Sequence, residues 1–208
     1  MKPYFYIKQL FDYISAIILV VISSPILLLI AIIIKIDSRG PVLFKQKRIG
    51  RNKATFSIYK FRTMRADTPK DMPTHLFQSP ENFVTEVGKF LRKSSLDELP
   101  QLFNILKGQM SFIGPRPALW NQLDLIDARE RQAEALGISA NAIKPGITGW
   151  AQVNGRDELP IMTKADLDGY YAKNLSLGLD IKILFMTVGS VLTGSGVSEG
   201  GPKNTPPE

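Results

Sequence analysis

Two adjacent acidic residues, Asp97 and Glu98, are the strongest candidates for chemistry in the sequence. They fall at the predicted start of a helix that runs to Lys107, where Pro100 is tolerated because first-turn N–H groups have no helical acceptor. Neighbouring helical residues project about 100° apart, so one carboxylate can attack phosphorus while the other binds a metal ion. A carboxylate at a helix N-terminus also stays ionised, as a nucleophile requires. The alternative is that both residues only cap the helix and complement its dipole.

Basic side chains flank this acidic pair and favour a phosphate ligand. Several of them stand in turns rich in glycine and proline, where a rigid arginine presents a fork that matches phosphate oxygens. The alternative for each is a solvated cation or a contact with lipid headgroups. Glycine-rich phosphate motifs of the Walker and dinucleotide types are absent, which argues against a P-loop ATPase and a Rossmann enzyme. The candidate phosphate ligands are Lys60, Arg62, Arg92, Lys93, Arg116 and Arg156.

Composition narrows the chemistry further. The chain has 208 residues, which predicts one domain with attachments, and its formal net charge of +7 suits an anionic partner. There is no cysteine and a single histidine, His75, so disulfides, thiolate metal sites, a cysteine nucleophile and a multi-histidine metal site are excluded. Any catalytic metal should therefore be a hard ion such as Mg²⁺. Basic residues are not interleaved with aromatics outside the N-terminal segment, so we expect no nucleic-acid partner.

The N-terminal segment predicts a membrane helix. Residues Ile14–Ile34 contain no charge, and a helix of this length is about 31 Å long, close to the thickness of the hydrocarbon core of a bilayer. A secretory signal peptide is excluded by the length and by the lack of a small-residue cleavage site. Cations are concentrated on the downstream side, which places the rest of the chain in the cytoplasm. The downstream cations are Lys35, Arg39, Lys45, Lys47, Arg48, Arg51 and Lys53, against Lys2 and Lys8 upstream.

A proline divides the apolar segment. Pro25 has no N–H to donate to the carbonyl of Val21 and its ring crowds that turn, so the helix should kink or break there. Ser23 or Ser24 can supply the missing donor, which matters in lipid. The residues alone leave two topologies open: a kinked helix that spans the membrane, and a re-entrant helix whose break at Ser24 and Pro25 returns the chain to the cytoplasmic face.

The remaining segments predict a small, mostly helical domain of α/β type. Val42–Lys45 and Thr55–Phe61 predict a β-hairpin around a basic turn, and residues 66–82, which include His75, read as a loop. Helices are predicted at 83–93, 97–107, 118–136, 164–174 and 180–192, two of them ended by Gly108 and Gly137. The predicted organisation is a membrane-inserted helix at 1–36, a catalytic domain at 37–194 and a disordered tail at 195–208.

Over nearly its whole length the chain resembles the bacterial sugar transferases, also called monotopic phosphoglycosyl transferases. The similarity lies in several long motifs in the right order. They are Asp12 before the apolar helix with Ser24 and Pro25 within it, GPVLFKQKRIG at 40–50, IYKFRTM at 58–64, SLDELPQLFNILKGQMSFIGPRP at 95–117, KPGITGWAQVNGR at 144–156 and YYAKNLSLGLDIKIL at 170–184. The stretch at 66–82 is longer than the minimal pattern, which leaves its contacts with a sugar open.

The resemblance implies a reaction and a set of site residues. A sugar-1-phosphate would pass from a UDP-sugar to a polyprenyl phosphate such as undecaprenyl phosphate, with release of UMP. Asp97 would be the nucleophile that forms a covalent phosphosugar intermediate, and Glu98 would bind Mg²⁺. The residues implied around the phosphates and the nucleotide are Lys60, Arg92, Arg116, Arg156 and Asp168, and Ser24 and Pro25 would mark a re-entrant break.

A membrane-anchored scaffold that binds a nucleotide sugar or lipid without turnover is the competing hypothesis. Such a protein would tolerate the loss of Asp97, whereas an enzyme would not. The charged motifs account for nucleotide and phosphates, so they do not identify the sugar or the glycan that is built, and the sequence leaves the oligomeric state open.

Overall fold

A computed structural model describes residues 4–65, 68, 83–155 and 159–193. The loop at 66–82 with His75 lies almost entirely outside this range. Arg156 and the tail at 195–208 also lie outside the described residues.

A single long helix, α1, occupies Tyr4–Asp37 and contains Pro25. The Ser24 hydroxyl donates to the carbonyl of Val21 at 2.8 Å, which is the acceptor that Pro25 leaves without its helical donor. The Ser23 hydroxyl donates to the carbonyl of Leu19 at 2.6 Å. The expectation that Ser23 or Ser24 satisfies the freed carbonyl is confirmed for Ser24. The helix is continuous through Pro25, so the proline does not interrupt the helical segment.

An antiparallel hairpin follows the helix, as the sequence predicts. Strand β1 is Leu43–Ile49 and strand β2 is Thr55–Phe61, in a register that pairs Leu43 with Phe61 and Ile49 with Thr55. The connection is a short 3₁₀ turn at Arg51–Lys53. Strand β1 runs through residues expected in the turn, because the amide of Ile49 also bonds to the carbonyl of Ala118, far away in the sequence.

Six α-helices and two 3₁₀ helices, one of them at Ala140–Ala142, form the rest of the described secondary structure together with a second strand pair. The predicted helices are confirmed with shifted ends, and Gly108 and Gly137 end two of them at φ values of +72° and +75°. Strands β3 and β4 pair in parallel and were not predicted. The elements are α2 (Glu86–Lys93), a 3₁₀ helix (Leu96–Gln101), α3 (Leu102–Leu106), β3 (Ser111–Ile113), α4 (Leu123–Leu136), β4 (Gly146–Thr148), α5 (Trp150–Val153), α6 (Ile161–Lys173) and α7 (Leu177–Thr193). The described part is thus mostly helical, with two small two-stranded sheets.

Helix α1 packs against this domain at both of its ends. Near its N-terminus Lys8 forms an ion pair with Asp180 at 2.8 Å, and Ala16 is buried with residues of β2 and α3. Near its C-terminus Ile30 and Ile34 are buried against β2 and α2. The face of α1 that points away from the domain is apolar and exposed. The helix is long and apolar enough to lie in a membrane, and the contacts near its two ends hold it to the domain.

Candidate active site

The two acidic residues lie at the start of the 3₁₀ helix Leu96–Gln101, directly after α2. The residue before it, Ser95, has a φ of +56°, which turns the chain sharply between the two helices. Pro100 lies inside the 3₁₀ helix and has no N–H, so an α-helical bond from this position to Leu96 cannot form. The predicted helix start at Asp97 is therefore a tighter 3₁₀ turn, and α-helical geometry begins only at Leu102.

Lys60 of β2 is the cation closest to the acidic pair. Its Nζ atom lies 2.6 Å from Oε1 of Glu98 and 3.8 Å from Oδ2 of Asp97. The Nη1 atom of Arg116, from the turn after β3, lies 3.9 Å from the same Glu98 oxygen. The structure thus brings Asp97, Glu98, Lys60 and Arg116 together from three separate segments of the chain.

Burial sets the protonation of Asp97. Asp97 is buried, and desolvation raises the pKa of its carboxyl above the usual range, although the charge of Lys60 opposes this shift. The charge of Glu98 raises the pKa further, while Arg92 and Arg116 lower it. The expectation that the helix N-terminus keeps this carboxylate ionised omits the desolvation, which the neighbouring cations only partly oppose.

Arg92 approaches the acidic pair from α2. Its Nε atom donates to the hydroxyl of Thr63 at 3.0 Å, which fixes the base of the guanidinium group. Burial raises the pKa of the Asp97 carboxyl, and the charge of Arg92 is one of those that oppose this shift. Three of the predicted phosphate ligands, namely Lys60, Arg92 and Arg116, therefore surround the carboxylates.

Arg62 is not placed as a phosphate ligand in this structure. Its side chain is buried and donates to backbone carbonyls of the segment that follows α1, with distances of 3.0 Å to Arg39 and 2.7 Å to Ser38. It also reaches the carbonyl of Ile34, in the last turn of α1, at 3.5 Å. Arg62 thereby attaches the end of the hairpin to the end of the membrane helix and the residues after it.

Asp168 also differs from what the resemblance implies. It is 2% exposed in α6, and its Oδ2 atom accepts from Nε and Nη2 of Arg129 at 3.0 and 2.6 Å. Burial raises the pKa of this carboxyl, and the Arg129 charge opposes the shift. In this position Asp168 is buried and contacts an arginine of α4.

Asn104 is a positioning residue that sequence reasoning missed. It is fully buried in α3, where its Oδ1 accepts from the Tyr59 amide at 2.9 Å and its Nδ2 donates to the Ser57 carbonyl at 2.8 Å. These bonds join the helical segment that begins with Asp97 to the strand that contains Lys60. The sequence offers one indication of this role, because Asn104 is a polar residue on the apolar side of a predicted helix.

The acidic pair offers a limited but suitable donor set for Mg²⁺. Among the residues that the structure describes, there is no cluster of three or more histidine, cysteine or acidic side chains. Mg²⁺ is commonly bound by one or two carboxylates with the remaining ligands from water and substrate phosphates. Glu98 fits that pattern because its half-buried carboxylate is held by Lys60 and Arg116, cations that can turn to phosphate oxygens.

Comparison with known proteins places this geometry in context. A family model described as bacterial sugar transferase matches residues 3–194. The chain is 42% identical over 193 residues to the uncharacterized sugar transferase EpsL of Bacillus subtilis. This match covers 93% of the present chain and 91% of the Bacillus protein. The present chain is 41% identical over 196 residues to the UDP-N-acetylgalactosamine-undecaprenyl-phosphate N-acetylgalactosaminephosphotransferase of Aeromonas hydrophila, which covers 93% of this chain and 45% of that relative.

A third relative is the UDP-glucose:undecaprenyl-phosphate glucose-1-phosphate transferase of Escherichia coli K12, with 39% identity over 187 residues. That match covers 88% of this chain and 39% of the relative. The chain therefore spans less than half of the length of the Aeromonas and Escherichia proteins and nearly all of the Bacillus protein.

We expect Asn104→Ala to destabilise the domain by about 2 kcal/mol, because the side chain of Asn104 is buried and the amide of Tyr59 and carbonyl of Ser57 would lose their partner. Urea unfolding in detergent measures this change. Asn154→Ala is the matched control, since that amide makes one exposed bond to the carbonyl of Trp150. Equal stability of the two variants would contradict the assigned role of Asn104.

Proposed function

The chain belongs to the bacterial sugar transferase family and is therefore a phosphoglycosyl transferase, and we propose that it transfers a sugar-1-phosphate from a UDP-sugar to undecaprenyl phosphate with release of UMP. The observation that carries the proposal is the pair Asp97 and Glu98, held by Lys60 and Arg116 at the start of a 3₁₀ helix. One carboxylate and several cations are the groups that a transfer between two phosphates requires.

Asp97 is the nucleophile of the proposed reaction. Its carboxylate oxygen attacks the phosphorus that bears the sugar, a new aspartyl O–P bond forms, and the bond from that phosphorus to the bridging oxygen breaks, so UMP leaves with the bridging oxygen. A phosphate oxygen of undecaprenyl phosphate then attacks the same phosphorus and displaces Asp97. A covalent step of this kind divides one displacement between two anions into two separate displacements.

The basic residues neutralise the phosphates during both displacements. Lys60 is within hydrogen-bond distance of Glu98 and near Asp97, so a bound diphosphate would replace one carboxylate as its partner. Arg116 is half-exposed beside Glu98 and presents a planar fork that matches phosphate oxygens. Fixed cations at the site of charge development lower the barrier of phosphoryl transfer.

Glu98 is the protein ligand that we assign to Mg²⁺. The ion supplies charge neutralisation for the phosphate oxygens of the donor. Glu98 would bind it through a side chain that is 20% exposed, next to the nucleophile and on the same turn. This assignment separates the roles of the two neighbouring carboxylates.

The membrane helix is proposed to be re-entrant, with the catalytic domain on the cytoplasmic face of the inner membrane. Lys8, close to one end of α1, pairs with Asp180 of the domain, and Ile34, close to the other end, is buried in it. A helix of 34 residues is about 51 Å long. If it crossed the bilayer, a charged ion pair and a polar domain would be carried into the hydrocarbon, which is costly.

Asp97→Asn is expected to abolish turnover while the protein stays folded, because an amide does not attack phosphorus as a carboxylate does. Release of UMP from UDP-sugars, measured with Mg²⁺ and undecaprenyl phosphate, tests the loss. Asp127→Asn removes an exposed carboxylate on α4 and should retain activity.

Wild type incubated with donor alone should gain the mass of a phosphosugar on the peptide with Asp97. Full turnover with that peptide never modified would contradict the covalent route, and turnover by Asp97→Asn would contradict its role as nucleophile.

Glu98→Gln should raise the Mg²⁺ concentration for half-maximal turnover about tenfold, equivalent to about 1.4 kcal/mol of metal binding. The measurement is a Mg²⁺ titration of UMP release. Glu86→Gln is the control, because that carboxylate is exposed on α2 and forms an ion pair with its helical neighbour Lys89. A Glu98→Gln enzyme with an unshifted titration would exclude Glu98 as a metal ligand.

A cysteine introduced at Lys2 is expected to be protected from a membrane-impermeant thiol reagent in intact cells, since both ends of a re-entrant helix lie in the cytoplasm. The chain contains no cysteine, so the label reports this position alone. Replacing Ser24 with alanine and Pro25 with leucine should favour a straight, spanning helix and increase labelling. Ready labelling without those replacements, with a C-terminal cysteine still protected, would show that the helix crosses the membrane.

A further inference from the structure

We propose that Arg129 and Arg48, which do not face the acidic pair, are positioning residues that hold the turn Gly114–Pro117 so that Arg116 is presented to the donor phosphates. The inference rests on the proposed function, because it assigns Arg116 to the diphosphate. It gives Asp168 a role as well, as the partner that fixes Arg129. We call the segment Gly114–Pro117 the arginine turn.

Each residue from Gly114 to Ala118, which is the arginine turn and the residue after it, forms one backbone hydrogen bond to another part of the chain. Two residues of the turn are prolines without an N–H, so mainly carbonyls are available to fix it. The bonds are Gly114 N to Thr148 O at 2.9 Å, Gly146 N to Pro115 O at 2.9 Å, Arg129 Nη2 to Arg116 O at 2.9 Å, Arg48 Nη1 to Pro117 O at 3.0 Å and Ile49 N to Ala118 O at 2.9 Å. The carbonyl of Arg116 itself is thus bound by an arginine side chain.

Arg129 is rigidly placed to make this bond. Its residue is 4% exposed on the inner face of α4, and Asp168, 2% exposed on α6, binds both Nε and Nη2. Nη2 carries two hydrogens, so it also reaches the Arg116 carbonyl. A buried ion pair of this kind contributes little to stability against an apolar substitute, but removal of one partner leaves an unpaired buried charge. Here the ion pair fixes the orientation of the Arg129 guanidinium group, which donates to the Arg116 carbonyl.

Glycines close the other side of the arginine turn. A Cβ atom on Gly114 would lie 2.4 Å from the carbonyl oxygen of Lys144, and one on Gly149 would lie 2.0 Å from the carbonyl oxygen of Gly114. Neither position has room for a larger residue unless the backbone moves. The turn is therefore fixed between backbone on one side and two arginines on the other.

The consequence is that only the side chain of Arg116 is left to respond to substrate. The rest of the turn is buried, whereas the Arg116 side chain is 42% exposed and its Nη1 lies 3.9 Å from Glu98. A preorganised cation at a phosphate site loses less freedom on binding than a mobile one. Loss of Arg129 or Arg48 should weaken donor binding through Arg116 and through no other group.

A double-mutant cycle tests this inference with UDP as the probe. The Kd of UDP is measured by calorimetry on the full chain in detergent with Mg²⁺, for Arg129→Lys and Arg48→Lys, each in wild type and in an Arg116→Ala background. Each lysine variant should raise the Kd about fivefold to tenfold in wild type, the order for one lost hydrogen bond to a charged donor. Neither should raise it further once Arg116 is gone. Asp168→Asn should behave as Arg129→Lys does.

Arg51→Lys is the matched control. Arg51 also donates a side-chain hydrogen bond to a carbonyl, that of Ala142 at 3.3 Å, but outside the arginine turn. Its Kd for UDP should not change. If Arg129→Lys fails to fold, which thermal unfolding reports, Arg48→Lys supplies the same test from a less buried position.

Two results would overturn the inference. One is an unchanged Kd for both lysine variants in wild type, and the other is an equal increase in the presence and absence of Arg116, which is what a merely structural role produces. A wild-type enzyme that binds UDP and follows the cycle but releases no UMP from any UDP-sugar would refute the proposed reaction and leave the positioning role intact. A wild type that does not bind UDP would refute both.

Discussion

The contact between Lys60 and the two carboxylates is the interaction on which the site depends. Two neighbouring acidic side chains, one of them buried, repel each other and lose hydration, and both effects favour protonation of Asp97. Lys60 lies 2.6 Å from Glu98 and is the largest of the influences that oppose this. The fold must therefore hold a strand residue against the start of a 3₁₀ helix that lies about 40 residues later in the chain. Asn104 does so by binding the backbone of β2 directly.

Local signals in the sequence were sufficient to find the residues that the structure brings together at the candidate site. Asp97 and Glu98 are adjacent, and Lys60 and Arg116 stand in short motifs of unusual composition, so residue type and spacing identify them. The hairpin, the long apolar helix and the glycine-terminated helices follow equally from local patterns, and the structure confirms them. Ser24 was identified as a donor for the Val21 carbonyl on the same local argument.

The remaining features depend on contacts between distant segments. Arg62 resembles a phosphate ligand in the sequence because it is two residues from Lys60, yet its donors bind carbonyls of the residues that follow α1. Strands β3 and β4 contain three residues each and pair across more than 30 residues, so neither has a periodicity of its own. Arg129 is one of several charged residues in α4, and only the packing of α4 on α6 shows that it faces inwards.

The C-terminal end of β2 links the membrane helix to the chemistry. Lys60 lies near the end of β2, and Arg62 and Thr63 follow directly after the strand. Lys60 contacts the acidic pair, Arg62 binds the carbonyl of Ser38 just after α1, and Thr63 accepts a hydrogen bond from Arg92. The position of the carboxylates relative to the end of α1 is thus set by Lys60 at the end of β2 and by the two residues that follow the strand. For the proposed acceptor, whose phosphate is confined to the membrane surface, this offset would decide whether the phosphate reaches Asp97.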